Sequence, residues 1–408
     1  MNPSPFDVAE LGQVFTPPAV VDAMLALRRN SGRVLEPSCG DGAFALRLPG
    51  CVALELDPRH APPGALCQDF FAYAPTRKFD TIIGNPPYVR FQDIGEDTRQ
   101  LLARGVWLKK FDARSNLYLF FIEKCLEHLA PGGELIFITP RDFMKSSGAV
   151  GMNRRLSEQG SITDALELGD ARIFTDAVPN CLIWRFEKGN FSRRTRYAEI
   201  GYGDDLAASL AAPPWQERHF MEAAGHLMFT RGDYPLHLSD VATVKVGAVS
   251  GADDLYADEV HGNRSFVCSS TGATGMTRRM IWCEPGEPPP QALLEHKERL
   301  ITRGIRPFDE SNWWHWGRGY PRTDAPRVYV NGKTRQAKPF FRNPSTHFDG
   351  SVLAIFPRRA DVNLAEFEVA LNAVDWADLG FVCDSRYLFT QRSLENTPLP
   401  ESFRKFLP

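Results

Sequence analysis

The chain has 408 residues, of which 43% are hydrophobic and 24% are charged, and its formal net charge is −3. This length predicts two domains, and the small net charge gives no sign of a polyanionic partner for the chain as a whole. No apolar run reaches the roughly 18 residues of a membrane-spanning helix, and the first residues lack the basic and apolar segments of a signal peptide. The eight cysteines include no Cys-x-x-Cys pair, which argues against a zinc ribbon or a disulfide framework and favours the reducing cytoplasm.

Strand and helix patterns alternate from residue 17 to about residue 190. Helical spacing of apolar residues predicts helices at 17–30, 43–48 and 117–129. Short apolar runs predict strands at 33–36, 51–56, a third ending near residue 66, and then 79–83, 134–139, 161–168 and 180–186. This alternation predicts an α/β fold with a parallel, doubly wound sheet.

The pattern weakens after residue 188, and the Ala-Ala-Pro-Pro run at 211–214 resembles a linker. The remaining chain is rich in Pro, Gly, Trp and Arg and contains short strand patterns, which predicts a smaller α+β domain. We therefore expect one domain at 1–212 and a second at 213–408.

The sequence Asn85-Pro86-Pro87-Tyr88 directly follows the predicted strand at 79–83. The two prolines fix φ and remove two backbone donors, so the Asn85 and Pro86 carbonyls lack local N–H partners and can face a ligand. The Asn85 amide oxygen and a neighbouring carbonyl would form two acceptors that suit an NH₂ group on a planar ring or amide. Tyr88 offers an aromatic face to the same group. The structural alternative is an ordinary tight turn after a strand.

A second turn, residues 36–42, follows the first predicted strand and carries Gly40 and Gly42. Two glycines at this spacing let the backbone approach a ligand closely. Glu55 ends the next strand, where a carboxylate can hold a ribose diol, and Asp69 follows the third, where it can accept from an exocyclic amine. This order describes an adenosine-bearing cofactor without a requirement for pyrophosphate. Each acid taken separately could equally be a solvated loop residue.

These motifs, taken in order, resemble those of the gamma-type amino DNA methyltransferases, which make N6-methyladenine with S-adenosylmethionine. The resemblance covers residues 11–190 and is looser from 235 to 400. The segments that carry it are 13–18, 35–42, Glu55, Asp69, 85–88, 116–124, 131–135 and 185–188, with 246–251 and 328–335 more loosely similar. It implies a Rossmann-like catalytic domain followed by a target-recognition domain that binds double-stranded DNA.

The resemblance also implies a role for each matching residue. The residues that would bind the cofactor are Val14, Thr16, Glu36, Pro37, Cys39, Gly40, Glu55, Asp69, Phe70, Asn85 and Phe121. Asn85 and Pro86 would receive the target amine, Tyr88 would stack on the flipped base, and Phe186 would contact that base from the other side. The lone pair of the amine would attack the methyl group directly, so neither a cysteine nucleophile nor a metal is expected.

A basic stretch from Arg303 to Arg359 contains 11 Lys and Arg residues against four Asp and Glu residues. Aromatic residues are interleaved with these charges, which favours a nucleic-acid groove over a merely solvated face. Lys333 and Arg335 lie in the recognition-like segment of this stretch, and we expect them to contact DNA.

Three other functions remain open on the sequence. A protein-glutamine methyltransferase also uses an Asn-Pro-Pro-Tyr turn, and an RNA methyltransferase could do so as well. A non-enzymatic DNA-binding subunit with an inactive methylase fold is a third possibility, although the intact motifs argue against it. A DNA methyltransferase of this kind would act as a monomer, either alone or beside a separate restriction endonuclease.

Overall fold

The computed structural model describes residues 16–74, 76–105, 115–168, 180–200, 205–284, 286–321, 323–383 and 386–408. The chain divides into two compact units, Met1–Gly232 and Asp233–Pro408. The boundary therefore lies at Gly232 and not at residue 212, because the two strands that follow residue 212 join the sheet of the first unit. Within the described ranges, no helix has the length and apolar character needed to cross a membrane.

A ten-stranded sheet runs through the described part of the first unit. Its strands are β1 (Val34–Glu36), β2 (Val52–Glu55), β3 (Leu66–Cys67), β4 (Phe79–Gly84), β5 (Leu129–Pro140), β6 (Gly160–Glu167), β7 (Cys181–Lys188), β8 (Arg194–Glu199), β9 (Gln216–Ala223) and β10 (His226–Thr230). In space the order is β10-β9-β8-β6-β7-β5-β4-β1-β2-β3. The predicted α/β sheet is thus confirmed, and it extends three strands beyond the predicted seven.

The sheet is mixed and not wholly parallel. β1, β2, β3, β4 and β5 pair in parallel, whereas β7 runs antiparallel to both β5 and β6. The sequence between the sixth and seventh predicted strands carries no helical pattern of the kind that a parallel crossover needs. The prediction of a parallel sheet was therefore wrong for β7.

Helices cover both faces of this sheet. They are α1 (Pro18–Ala26), α2 (Glu96–Arg104), α3 (Leu117–His128), α4 (Val150–Gln159) and α5 (Leu206–Ala211). Leu35 and Ile82 belong to the apolar cluster that contains α3 and α4, while Val34 and Ile83 belong to the cluster that contains α1. Neighbouring strand residues thus point to opposite, buried faces, which explains the continuous apolar runs in the sequence.

The helix predicted at 43–48 is reduced to one short 3₁₀ turn, Ala45–Arg47. Two glycines with positive φ precede this turn, and Pro49 and Gly50 follow it almost at once. A Pro-Gly pair cannot continue a helix, so the segment ends after a single turn.

His128, the last residue of α3, lies buried among aromatic rings. Its ring centroid is 5.5 Å from those of Phe70 and Tyr73 and 6.2 Å from that of Phe79. Burial lowers the pKa of His128 to about 4. Between about pH 6.5 and pH 4, the unfolded chain therefore binds a proton that the folded chain does not.

We accordingly expect the free energy of unfolding to fall as the pH decreases from about 6.5 to about 4. In a His128→Phe variant, the free energy of unfolding should depend less on pH over this range, because phenylalanine binds no proton. Denaturation curves at a series of pH values would measure it, with the exposed His226→Gln as the matched control. An unchanged pH dependence in His128→Phe would contradict the prediction.

The second unit consists of short strands and short helices. Its strands are β11 (Leu236–His237), β12 (Ala242–Val246), β13 (Arg264–Val267), β14 (Arg278–Met280), β15 (Val328–Asn331), β16 (Lys333–Thr334), β17 (Phe340–Phe341), β18 (His347–Phe348), β19 (Val352–Pro357), β20 (Val382–Cys383), β21 (Arg386–Leu388) and β22 (Pro398–Leu399). Its helices are α6 (Leu238–Val241), α7 (Asp253–Tyr256), α8 (Thr271–Thr274), α9 (Lys297–Ile301), α10 (Leu364–Ala373) and α11 (Gln391–Glu395). The largest of its sheets has the order β12-β19-β15-β17. The predicted α+β character is confirmed.

Candidate active site

The carboxyl ends of four adjacent parallel strands form one edge of the first unit. In spatial order β4-β1-β2-β3, the chain leaves these strands at Asn85, Glu36, Glu55 and shortly before Asp69. At roughly 4.8 Å between neighbouring strands, this row is about 14 Å long, enough for a nucleoside with an amino acid attached. The strand order reverses at β1, which is where open α/β sheets bind their ligands.

The glycine turn after β1 is held by Glu55. Gly40 and Gly42 have φ of 53° and 84°, a region that favours glycine, and a Cβ on Gly42 would lie 2.8 Å from Cγ of Pro62. The Gly40 N–H donates to Glu55 Oε2 at 2.7 Å, and the Asp57 N–H donates to Glu55 Oε1 at 2.9 Å. Glu55 therefore fixes the turn as well as lying at the predicted ribose position.

Glu36 is a buried carboxylate beneath the same turn. Its Oε2 accepts the Ala45 N–H at 2.7 Å, and burial raises its pKa well above the usual range. Pro37 and Cys39 are also buried, and the Cys39 N–H donates to the Leu54 carbonyl at 2.8 Å. A cationic group beside Glu36 would stabilise its charged form, so this position fits the amino group of a methionine.

Asp69 is fixed from two sides. Its Oδ1 accepts the Phe71 N–H at 2.7 Å, and the Thr98 hydroxyl donates to its Oδ2. The Phe121 ring centroid lies 5.2 Å from that of Phe70 and 5.1 Å from that of Phe71, and all three rings are buried. The structure thus brings together the three residues predicted for the adenine end of a cofactor, namely Asp69, Phe70 and Phe121.

The turn after β4 contacts two segments that lie earlier in the chain. Asn85 Nδ2 donates to Thr16 Oγ1 at 3.3 Å, and the Ser38 hydroxyl donates to the Asn85 carbonyl at 3.4 Å. The Ser38 hydroxyl of the glycine turn therefore reaches the carbonyl that was expected to lack a local N–H partner and to face a ligand. Pro86 is buried in the turn. Val14, predicted beside Thr16, lies outside the described residues.

Tyr88 is half-buried at the end of the turn. Its hydroxyl donates to the Ile138 carbonyl at 2.9 Å, and its ring lies edge-on to Tyr118 with 5.9 Å between centroids. Burial raises the pKa of Tyr88 well above its usual value, so the hydroxyl keeps its proton. Tyr88 can therefore offer an anchored aromatic ring, but it cannot act as a base.

Phe186 does not lie beside the turn. It is fully buried in β7 and pairs with Leu135 and Ile162, whereas Ile183 is the residue of β7 that pairs with Ile138 at the level of the turn. Because β7 runs antiparallel, its later residues lie towards the opposite edge of the sheet. The structure thus places Phe186, the base contact that the resemblance implied, in the core and away from the turn.

The aromatic residues of the basic stretch form a core and not a stacking surface. Trp313, Trp314 and Trp316 are buried in one apolar cluster of the second unit. Two of the predicted cations, Arg303 and Arg327, are buried and donate to backbone carbonyls. The residues of the predicted DNA contact, Lys333 and Arg335, are exposed. For these three tryptophans the interleaving of aromatic and basic residues therefore reflects packing, whereas Lys333 and Arg335 are available to a ligand.

Two contacts of the site were not predicted. Ser38 lies within the glycine motif, and its reach towards Asn85 depends on the side-by-side pairing of β1 and β4. Thr98 belongs to α2 and carries no motif, so no pattern in the sequence indicates that it contacts Asp69. Within the described residues, no group of three or more His, Cys, Asp or Glu side chains could hold a metal ion.

Residues 65–174 match the Eco57I restriction-modification methylase family. The chain is 30% identical over 188 residues to the Type II methyltransferase M.HincII of Haemophilus influenzae, covering 44% of this chain and 38% of that protein. It is 33% identical over 198 residues to the Type II methyltransferase M.TthHB8I of Thermus thermophilus, covering 44% and 45%. The chain thus spans less than half the length of these curated relatives. The solved structure of the Type IIL enzyme MmeI in complex with DNA covers 93% of this chain and 64% of its own at 12% identity, with a TM-score of 0.46.

The strand order and the crevice at β1, together with the sequence matches, give the first unit the fold of the S-adenosylmethionine-dependent methyltransferases. S-adenosylmethionine is the cofactor of this fold, as the sequence predicted. The residues present fit this cofactor. Along the edge lie the buried carboxylate of Glu36, the carboxylate of Glu55 on the glycine turn, and Asp69 with the aromatic rings beside it.

Glu55→Gln is expected to weaken S-adenosylmethionine binding by about 10- to 100-fold, the usual effect of losing charge-assisted hydrogen bonds. The amide can accept from only one of the two backbone N–H groups that Glu55 now holds. Isothermal titration calorimetry measures the change, with Glu158→Gln, an exposed residue on α4, as the control. Equal affinity in Glu55→Gln and in the unsubstituted chain would refute this role.

Proposed function

We propose that the protein is a site-specific DNA methyltransferase that transfers a methyl group to the N6 amine of adenine. The observation that carries the proposal is the position of Asn85, Pro86 and Tyr88 at the end of β4, directly beside the glycine turn that follows β1. An acceptor pair for a planar NH₂ group and an aromatic ring thus border the place where the methyl donor binds. The matching family is described as restriction-modification methylases and the relatives are named Type II methyltransferases, which supports DNA as the substrate.

The Asn85 amide is oriented by Thr16. Because Nδ2 donates to Thr16 Oγ1, Oδ1 is the end of the amide that would accept a hydrogen of the target amine. The Pro86 carbonyl would accept the second hydrogen. Bound in this way, the nitrogen loses conjugation with the ring and its lone pair becomes a better nucleophile, which is catalysis by positioning and electrostatics. S-adenosylmethionine supplies the methyl group.

The target base must leave the duplex to reach this edge of the sheet. Unstacking costs a few kcal/mol, and stacking on an aromatic ring offsets about 1–3 kcal/mol of it. Tyr88 is suited to this task because its hydroxyl is anchored on Ile138 and its ring is held by Tyr118.

The second unit would bind the duplex through exposed cations such as Lys333 and Arg335. The enzyme would act as a monomer, beside a separate cognate restriction endonuclease.

The test is transfer of labelled methyl from S-adenosylmethionine to duplex DNA, followed by digestion and mass spectrometry of the nucleosides. N6-methyladenine in the digest is the expected product, and mapping the modified sites would give the recognition sequence. N4-methylcytosine would overturn the assignment of the base. Label in RNA or in a glutamine side chain, with none in DNA, would overturn DNA as the substrate.

A further inference from the structure

Lys124 is a buried cation in the middle of the apolar helix α3. Its side chain is almost wholly removed from solvent, although burying an ammonium group is costly unless it is compensated. Its Nζ donates to the backbone carbonyl of Phe70 and lies 4.8 Å from the centroid of the Phe70 ring and 5.7 Å from that of Phe71. The neighbouring Glu123 forms its ion pair with Arg155. The described contacts of Lys124 are therefore directed at the segment after β3.

That segment is the adenine end of the proposed cofactor site. Asp69 accepts hydrogen bonds from the Phe71 N–H and from the Thr98 hydroxyl. The carbonyl of Phe70, which lies between Asp69 and Phe71 in the chain, accepts a hydrogen bond from Lys124. Phe121 lies one helical turn before Lys124 and therefore on the same face of α3. One turn of α3 thus supplies both the ring that packs on Phe70 and the cation that fixes its backbone.

We propose that Lys124 is a positioning residue that holds the segment 69–71 in the conformation that receives the adenine ring of the cofactor. The inference rests on the proposed function, because it assigns that segment to S-adenosylmethionine. In this role Lys124 acts through the Phe70 carbonyl and through its charge beside Asp69. Its loss should therefore affect cofactor affinity far more than the rate of transfer once the cofactor is bound.

The charge of Lys124 gives this role a pH dependence. Burial lowers its pKa to about 8, opposed by the negative charge of Asp69 from the loop and of Glu127 from its own helix, while burial raises the pKa of the adjacent Cys125 thiol and keeps it neutral. His128, also on α3, faces the same region. Above about pH 8, Lys124 loses its proton and its bond to the carbonyl is no longer charge-assisted, so affinity for S-adenosylmethionine should fall as the pH rises through 8.

The matched pair of variants is Lys124→Met and Lys188→Met. Lys188 also donates to backbone carbonyls of this region, at 2.8 Å to Leu126 and 3.4 Å to Leu129, but it does not contact the segment 69–71. Calorimetry of S-adenosylmethionine binding and steady-state kinetics on duplex DNA should be run on the full chain at pH 7 and pH 9, with thermal melting to verify folding.

We expect Lys124→Met to raise the Kd and KM for S-adenosylmethionine by about 10-fold or more at pH 7, with kcat nearly unchanged. The affinity difference between pH 7 and pH 9 should shrink, leaving only the part that comes from the amino group of the cofactor, which titrates near pH 8. Lys188→Met should bind like the unsubstituted chain. Unchanged affinity in a folded Lys124→Met, or an equal loss in Lys188→Met, would overturn the inference while leaving the proposed function intact. Failure of the unsubstituted chain to bind S-adenosylmethionine would overturn the proposed function itself, and the inference with it.

Discussion

Asn85→Ala is expected to lower kcat for methyl transfer by about 10²- to 10³-fold, the usual effect of removing one preorganised hydrogen-bonding group from an active site. Alanine leaves the turn and its prolines in place but removes the oxygen that would accept the amine hydrogen. Binding of S-adenosylmethionine should change little, because the glycine turn is fixed by Glu55 and not by Asn85. Single-turnover transfer to duplex DNA at saturating cofactor measures the chemical step directly.

The control for this variant is Asn190→Ala, since Asn190 follows β7 at the opposite edge of the same sheet. It should transfer methyl at the unsubstituted rate. Thr16→Val is expected to have a smaller effect than Asn85→Ala, because it removes the hydroxyl that orients the amide but not the amide itself. Normal transfer by Asn85→Ala would refute the assignment of the acceptor pair.

The sequence predicts the central sheet well because its signals are local. Apolar runs mark six of the first seven strands, whereas β3 is an exposed two-residue strand that the sequence placed in the loop after the third strand. The polar turns that follow β1, β2 and β4 mark the edge at which Glu36, Glu55 and Asn85 meet. Parallel neighbours with polar residues at their carboxyl ends leave few other arrangements. The grouping of the cofactor residues follows from this topology, not from any distance in the sequence.

The errors arise where direction or partner is set by contacts between distant segments. Phe186 was assigned to the target base by the resemblance alone, and nothing in its own strand shows that β7 is antiparallel and carries this ring away from the turn. Trp313 and its neighbours were taken as a nucleic-acid surface because they lie in an irregular segment. Such a segment has no helix or strand periodicity from which buried and exposed aromatic residues could be told apart. Lys124 was visible as a lysine within an apolar helix, but its target, the Phe70 carbonyl, is fixed only by the packing of α3 on the segment after β3.

Arg185→Met is expected to reduce the free energy of unfolding of the first unit by about 3–5 kcal/mol, the usual result of removing one partner of a buried ion pair. Arg185 lies in β7 and is almost wholly buried, and its Nε donates to Glu134 Oε2 at 2.6 Å. Glu134 is also fully buried and accepts from the Thr81 hydroxyl at 2.8 Å and from the Asn30 N–H at 2.9 Å. Without Arg185, its carboxylate would remain in the core without this counter-ion.

An exposed ion pair in the same sheet serves as a control that separates the effect of burial on stability from the effect of removing a charge. Arg194 and Glu217 pair at 3.1 Å across β8 and β9 with both side chains largely in solvent, so Arg194→Met should cost less than about 1 kcal/mol. The double variant Arg185→Met with Glu134→Leu should regain part of the loss, because the Glu134 carboxylate is then no longer buried without its counter-ion. Urea denaturation followed by circular dichroism would measure all three variants. If Arg185→Met is no more destabilising than Arg194→Met, the Arg185–Glu134 pair does not stabilise the sheet. The other hydrogen bonds to Glu134 would then be sufficient to hold this part of the sheet.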